Sequence, residues 1–320
     1  MSQLTPVAEA ATLNSAVNAL KSLKKSPRMP VMFIGHGSPM NAIEDNEYRR
    51  SWQALGKEFE GQGGAAQFSV EPPQGKLAPS GGSAEHAVAS VGARFPQPQL
   101  ILCISAHWIT RGWWLTGMAK PKTIYDFGGF PPELFAQQYP APGAPETAKE
   151  LGAMLKSPIP GSIVGVDNAE WGLDHGTWSV IKPMFPNANI PVMQLSMDYS
   201  RAPAEHYALG QQLKKLRDYG VLIVGSGNIV HNLRAMRQSA PYDWNIEFDA
   251  TIAKQLASGN LAQLADFQKL GEIAKLAHPT YEHYLPLLYA AGAAEGTDQL
   301  RTFNDSLTMG SISMRSTIWS

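Results

Sequence analysis

Short, nearly continuous apolar runs recur along the 320-residue chain and separate more polar stretches. A strand with one solvent-exposed face alternates apolar and polar residues, whereas a strand buried on both faces does not. Five of the runs therefore predict buried strands. They are residues 30–35, 99–105, 113–118, 190–197 and 220–227.

Helical patterns lie between these runs. Residues 145–156 begin with proline and glutamate, which is typical of a helix N-terminus, and residues 202–220 end at Gly220. Two further helices are predicted over residues 245–260 and 281–293. Alternating strands and helices predict an α/β fold, here a single domain with a central, mostly parallel sheet flanked by helices.

The segment of residues 60–98 differs from the rest because Gly, Pro, Ser, Ala and Gln dominate it and its periodicity is poor. Such low-complexity composition is typical of a flexible surface insertion. A long loop can also serve as an active-site lid or an oligomerisation arm, so this second interpretation and a homo-oligomer stay open.

Composition and charge exclude several classes of function. The chain has 26 basic and 27 acidic residues, so no basic surplus points to nucleic acid. No apolar run is long enough for a membrane span, and no secretory signal is recognisable, so we expect a cytoplasmic protein. Cys103 is the only cysteine and lies in an apolar run, which predicts a core residue and excludes an intrachain disulfide.

Three of the eight histidines follow predicted strands: His36, His107 and His231. In an open α/β sheet, ligands bind beyond the carboxyl ends of the strands, so we expect these three side chains at one edge. His283 lies on the predicted helix 281–293 and shares a face with Leu287, which would direct it inward. Imidazole suits Zn, Fe, Ni and Cu, and a shared histidine-rich metal site is predicted.

The remaining histidines have less distinctive settings. His86 lies in the low-complexity segment and is predicted to be exposed, His206 is predicted on a helix surface, and His278 is predicted to begin the helix that follows it. His175 lies in a loop beside Asp174, which would either orient an imidazole or cap a loop or helix. The HExxH, GxxxxGK[ST] and GxSxG templates are absent.

Several long motifs resemble one known family and occur in its order: FIGHGSPMNAI, SAHW, DFGGFPPELFAQQYPAPG, EWGLDHGTWSVIKPMFP, PVMQLSMD, VGSGNIVHNL, HPTYEHYLPLLYAAGA and GSISMRS. The chain resembles the 4,5-DOPA extradiol dioxygenases of the class III extradiol ring-cleavage superfamily, which includes protocatechuate 4,5-dioxygenase. The resemblance implies a catalytic domain over residues 29–320, interrupted by the 60–98 insertion, and an N-terminal extension over residues 1–28.

The resemblance also implies a site. His36, His107 and His283 match metal ligands. His231 matches the acid/base histidine and can count as a fourth ligand. His175 matches a histidine that lines the substrate pocket and is the second choice for acid/base catalysis. The metal would be divalent and non-haem, with Fe(II) needed for O2 chemistry and Zn(II) expected in the purified protein. The implied partners are O2 and a small aromatic diol such as DOPA, beneath a loop at residues 125–134.

Two alternatives remain at this point. A zinc-dependent hydrolase or lyase on the same scaffold would keep the histidines but use hydroxide instead of O2. A non-catalytic binding protein of the same fold would be indicated by missing ligand histidines, and all of them are present.

Overall fold

The computed structural model describes residues 20–59, 94–157 and 163–320. The strands in these parts are β1 Val31–Gly35, β2 Leu100–Ser105, β3 Trp114–Thr116, β4 Gly165–Asp167, β5 Val192–Gln194, β6 Val221–Gly227, β7 Leu300–Phe303, β8 Leu307–Thr308, β9 Ile312–Ser313 and β10 Ser316–Trp319. The α-helices are α1 Glu47–Lys57, α2 Pro132–Phe135, α3 Pro145–Met154, α4 His175–Met184, α5 Pro203–Leu213, α6 Asp243–Ala257, α7 Glu272–Ala277 and α8 Leu285–Ala293. Four 3-10 helices cover Pro39–Ala42, Lys214–Tyr219, Leu233–Ala235 and Leu261–Leu270.

The central sheet has six strands in the order β5-β2-β6-β1-β10-β7. The first four run parallel, whereas β10 is antiparallel to both β1 and β7. The predicted α/β fold with a mostly parallel sheet is therefore confirmed. Because β2, β6 and β1 are parallel neighbours, their carboxyl ends lie side by side at one edge.

Each central strand contributes to two apolar cores, one on each face of the sheet. In β6, Val221 and Ile223 belong to the core that also contains residues of α5, α6 and α8, while Leu222 and Val224 belong to the core with α1 and α4. Both faces are covered, which explains the continuous apolar runs. Cys103 is buried in the second core, as predicted, and burial raises the pKa of its thiol.

Several predicted elements are shorter or placed differently. Residues 113–118 do not join the central sheet, since β3 pairs with β4 in a separate two-stranded sheet. The helix predicted over 202–220 ends at Leu213 and continues as a 3-10 helix up to Gly220, whose φ is 72°. The helix predicted over 281–293 begins only at Leu285, because Pro286 lacks an N–H and fits best in a first turn.

Two predicted segments lie largely outside the described residues. Most of the insertion, including His86, falls there, as do residues 1–19 of the predicted extension. In the described end of that extension, Leu20 and Leu23 are buried in the first core. Within the described ranges, no helix has the length and apolar character required to cross a bilayer.

Glycines in β6 bring a later part of the chain close to the sheet. A Cβ on Gly227 would lie 2.1 Å from the backbone oxygen of His283, and one on Gly225 would lie 2.3 Å from the oxygen of Pro286. The Asn228 N–H donates to the His283 oxygen at 2.9 Å. His283 therefore sits over the end of β6, immediately before α8, because β6 has no side chains at the two contact points.

The substitution Gly227→Ala should displace the His283 backbone, since a Cβ has no room there. We expect the free energy of unfolding to fall by about 1–3 kcal/mol in urea titrations, as for other overpacked sites. Gly296→Ala is the control, because a Cβ on Gly296 meets no atom within 4 Å. If the free energy of unfolding were the same for Gly227→Ala and the unchanged chain, His283 could not be packed closely on β6.

Candidate metal centre

Five histidines line one cavity of about 500 Å³ at the carboxyl edge of the sheet: His36, His107, His175, His231 and His283. The ring of His36 has its centroid 5.2 Å from that of His107 and 5.3 Å from that of His283. The His107 and His175 centroids are 3.8 Å apart, and the His231 and His283 rings stack at 3.4 Å. The structure thus brings together every histidine for which the sequence predicts a site role.

The strand ends place the first of these side chains. His36 follows β1 directly and its N–H donates to the Gly227 oxygen at 2.9 Å, which extends the pairing of β1 with β6. Gly37 then adopts a φ of +58°, a region that favours glycine, and the Ser38 side chain caps the 3-10 helix that begins at Pro39. The chain turns sharply after His36 and leaves its imidazole at the sheet edge.

Four of the five cavity imidazoles have their Nδ1 atoms next to oxygen atoms, namely those of His36, His107, His283 and His175. The His36 Nδ1 is 3.0 Å from Ser226 Oγ, and the His283 Nδ1 is 3.0 Å from Glu282 Oε1. His107 Nδ1 lies 3.3 Å from Asp126 Oδ2. A histidine that binds a metal through one ring nitrogen characteristically donates a hydrogen bond from the other to such a partner, and this bond fixes the orientation of the ring.

Asp126 links two histidines of the site. Its Oδ2 lies 2.9 Å from His175 Nδ1 as well as 3.3 Å from His107 Nδ1, and its Oδ1 accepts the His175 N–H at 2.9 Å. Burial opposes the charge of Asp126, but the contacts with His175 and the proximity of His107 outweigh this effect and lower its pKa. Sequence reasoning missed both Asp126 and Glu282, although each is part of a motif that carries the family resemblance.

Asp174 caps the N-terminus of α4, which is one of the two roles predicted for it. Its Oδ1 accepts from Thr177 N at 3.1 Å, at the start of α4, and from Ser105 Oγ at 2.7 Å, while Oδ2 accepts from Gln194 Nε2 at 2.6 Å. Burial and then the charge of Asp126 raise the pKa of Asp174. The carboxylates that contact imidazoles here are those of Asp126 and Glu282.

Burial favours the neutral form of four cavity histidines, His36, His107, His231 and His283. It lowers the pKa of His107 and of His231 to about 3, and neighbouring imidazoles contribute in the same direction. The pKa values of His36 and His283 are lowered well below 6.5 for the same reasons. A metal ligand must be unprotonated, so these rings have the form that binding requires.

The donor atoms fit a divalent transition metal. One group, His36, His107 and His175, offers nitrogens within 4.8 Å of one another, and a second group consists of His231, Glu282 and His283. Imidazole nitrogens suit Zn and Fe, and His36, His107 and His283 have Nδ1 beside an oxygen that fixes the ring orientation. His175 thus belongs to the same donor group as the predicted ligands His36 and His107, whereas the predicted ligand His283 belongs to the second group.

Two other histidines differ from the sequence-based expectation. His206 is fully buried rather than on a helix surface, because α5 packs against α8, and its Nδ1 is 2.8 Å from Tyr289 Oη. His278 follows α7 instead of beginning the next helix, and its Nε2 is 2.6 Å from the Ile229 oxygen. Neither lines the cavity.

The variant Asp126→Asn should bind metal more weakly, since it removes the charge that holds two imidazoles while nearly keeping the shape. We expect the affinity for Zn(II), measured by competition with a chelator, to fall by about 10- to 100-fold. Asp45→Asn is the matched control, because Asp45 is exposed and pairs only with Arg50. An unchanged affinity in Asp126→Asn would contradict the orienting role.

Comparisons with known proteins give consistent results. The model of the family described as "Catalytic LigB subunit of aromatic ring-opening dioxygenase" matches residues 30–315. An Escherichia coli (strain K12) protein named 4,5-DOPA dioxygenase extradiol is 41% identical over 299 residues, which cover 92% of this chain and 96% of the relative. A Beta vulgaris protein of the same name is 33% identical over 283 residues, 88% of this chain and 92% of the relative. The crystal structure of an uncharacterized protein from Escherichia coli K12 aligns with a TM-score of 0.67 at 36% identity, over 92% of this chain and 100% of that chain.

Proposed function

Because the chain belongs to the LigB family of aromatic ring-opening dioxygenases, we propose that it cleaves a catechol outside its diol, with O2, to a muconic semialdehyde. Both oxygen atoms of O2 enter the product, so the reaction needs no external reductant. The observation that carries the proposal is the convergence of five histidines on one cavity at the sheet edge. Relatives are named for DOPA, which makes DOPA the first catechol to assay.

The proposed metal ligands are His36, His107 and His283, each of which has its Nδ1 next to an oxygen and its Nε2 left for a metal. The Nε2 atoms of His36 and His107 are only 3.4 Å apart, which supports a shared ion. His231 stacks on His283 and is the proposed acid/base, close enough to serve as a fourth ligand. Fe(II) held there would supply the redox chemistry of O2 and acidify the catechol hydroxyls, whereas Zn(II) would supply Lewis acidity alone.

Proton transfer is the chemistry proposed for the remaining imidazoles. A neutral histidine can take the proton of the second catechol hydroxyl and return it later in the reaction. His231 remains the first choice. His175 is the second, and the Asp126 carboxylate 2.9 Å from its Nδ1 would stabilise the imidazolium that forms when Nε2 takes a proton.

Aromatic residues give the cavity a wall suited to a flat ring. Phe127 and Phe130 line it, and the Phe127 ring meets the His175 ring edge to face at a centroid distance of 5.4 Å. These residues lie in the segment predicted to cover a substrate. Their apolar surface would exclude water beside the reacting ring.

Anaerobic loading with Fe(II), followed by a catechol and O2, should consume one O2 per catechol and produce a yellow semialdehyde. The same protein loaded with Zn(II) is the control and should take up no O2. An absence of O2 uptake with every catechol tested would contradict the dioxygenase proposal and favour the zinc-dependent hydrolase or lyase. The non-catalytic alternative has no support, because the family is one of enzymes.

Single substitutions should separate ligands from the acid/base residue. We expect His36→Ala and His107→Ala to lose bound metal, measured by elemental analysis after dialysis. His231→Ala should retain metal and lose at least about 100-fold in kcat, as when a general acid/base is removed. Asp45→Asn serves again as the unaffected control.

Metal content decides between the outcomes. Full occupancy in His36→Ala would show that the ligand assignment is wrong. Loss of metal from His231→Ala, to the same extent as from His36→Ala, would make His231 a ligand and transfer the acid/base role to His175.

A further inference from the structure

The mouth of the cavity is apolar, whereas its inner end carries the histidines. Leu233, Met236 and Met309 all line the cavity, yet their exposed fractions are 57%, 49% and 40%. His36 and His283, which line the same cavity, are only 1% and 6% exposed. The cavity therefore has a buried inner end that carries the imidazoles and an exposed outer end. Leu233, Met236 and Met309 at the outer end are called the apolar rim.

Hydrogen bonds from the backbone and from the Ser311 side chain hold this rim in place. The Asn232 N–H donates to the Ser311 oxygen at 3.2 Å, and Ser311 Oγ donates to the Asn232 oxygen at 2.8 Å. The Arg237 N–H donates to the Met309 oxygen at 3.0 Å. The segment after His231 is thus hydrogen-bonded to the hairpin of β8 and β9. These bonds fix the positions of the rim residues relative to one another.

Met309 has a backbone conformation that is unfavourable for its side chain. Its φ is 50°, in the left-handed region that non-glycine residues rarely adopt, and it is followed by Gly310 with a φ of 71°. Such strain persists where the surrounding structure over-determines it, and it concentrates at ligand sites. A large apolar side chain held exposed and strained at a cavity mouth indicates contact with a ligand.

Among the lining residues that the structure describes, Ser38, Asn41, Tyr48 and Thr308 offer uncharged polar groups, but no counter-charge is left for a charged substituent. The only carboxylate there is Asp126, which contacts His107 and His175, and no lysine or arginine is present. Arg237, next to Met236 in the chain, donates its guanidinium hydrogens to the Ala240 oxygen and stacks over Tyr242. A carboxylate or ammonium group bound against the rim would lose water without gaining a counter-charge.

We infer that the preferred substrate is a catechol with an uncharged, apolar substituent, which lies against Leu233, Met236 and Met309 while the diol reaches the histidines. This inference rests on the proposed function and names its substrate class. It departs from the sequence-based expectation of DOPA, whose side chain carries both an ammonium and a carboxylate. A cavity of about 500 Å³ has room for a ring and such a substituent.

The decisive comparison uses 4-propylcatechol and L-DOPA, which share the ring and a three-carbon chain and differ only in the two charged groups. With the Fe(II) protein, we expect kcat/KM for 4-propylcatechol to exceed that for L-DOPA at least about tenfold, mainly through KM. Anaerobic titration of the Zn(II) protein, followed by tryptophan fluorescence, should give Kd values in the same order. Equal or better values for L-DOPA in both measurements would overturn the inference.

Charge placed on the rim should change the preference. Met236→Lys should raise kcat/KM for 3-(3,4-dihydroxyphenyl)propionate relative to 4-propylcatechol at least about tenfold, since the new cation meets the carboxylate. Met236→Gln, with the same length and no charge, is the matched control. Ile246→Lys, on an exposed position of α6 outside the cavity, should leave the ratio unchanged.

Arg234→Ala tests the competing arrangement. Arg234 is exposed between Leu233 and Met236 but does not line the cavity, so its loss should leave L-DOPA turnover unchanged. A specific loss of L-DOPA turnover would instead show that Arg234 binds a substrate carboxylate and would overturn the apolar assignment. If no catechol supports O2 uptake, the proposed reaction fails, and the order of the anaerobic Kd values still decides the substrate class.

Discussion

The site depends on the side-by-side ends of three parallel strands, β2, β6 and β1. Residues that follow these ends must meet, whatever their separation in the chain, and His36, His107 and His231 all do so. The middle strand adds a second constraint. Because β6 has no side chains at Gly225 and Gly227, the backbone before and within α8 can lie against it and bring a fourth histidine, His283, to the same edge.

Crowding imidazoles into a buried cavity has a direct electrostatic consequence. A protonated ring would lose its hydration there and repel its neighbours, so burial and mutual repulsion hold His107 and His231 neutral. Neutral rings need defined orientations to act together. Ser226, Asp126 and Glu282 provide these by placing an oxygen at Nδ1 of His36, His107 and His283. The same burial that disfavours protonation thereby prepares the nitrogens for a metal.

The two ends of the cavity would contact different parts of a substrate. The imidazole end suits a diol and a metal, and such an end is compatible with many catechols. The apolar rim is built from a short 3-10 helix with its C-cap and from the turn of a hairpin, and such connecting segments are the parts of a fold that vary most readily. Membership of the family therefore determines the type of reaction, whereas we propose that Leu233, Met236 and Met309 select the substituent on the ring. With this separation, a chain that is 41% identical to a protein named for DOPA would be able to prefer another catechol, as proposed above.

The apolar runs alone determined the α/β class, four of the central strands and the meeting of His36, His107 and His231, because burial on both faces and strand direction leave a local pattern. The helical pattern around Leu287 added His283 to them, and the family motifs added His175. Only the tertiary structure decided that β3 leaves the central sheet, that His206 is buried and that Asp126 rather than Asp174 contacts the imidazoles. Asp126 lies 49 residues from His175 in the chain. A contact between a loop and the start of a helix at such a distance leaves no periodicity in the sequence, since it arises only when packing brings the two segments together.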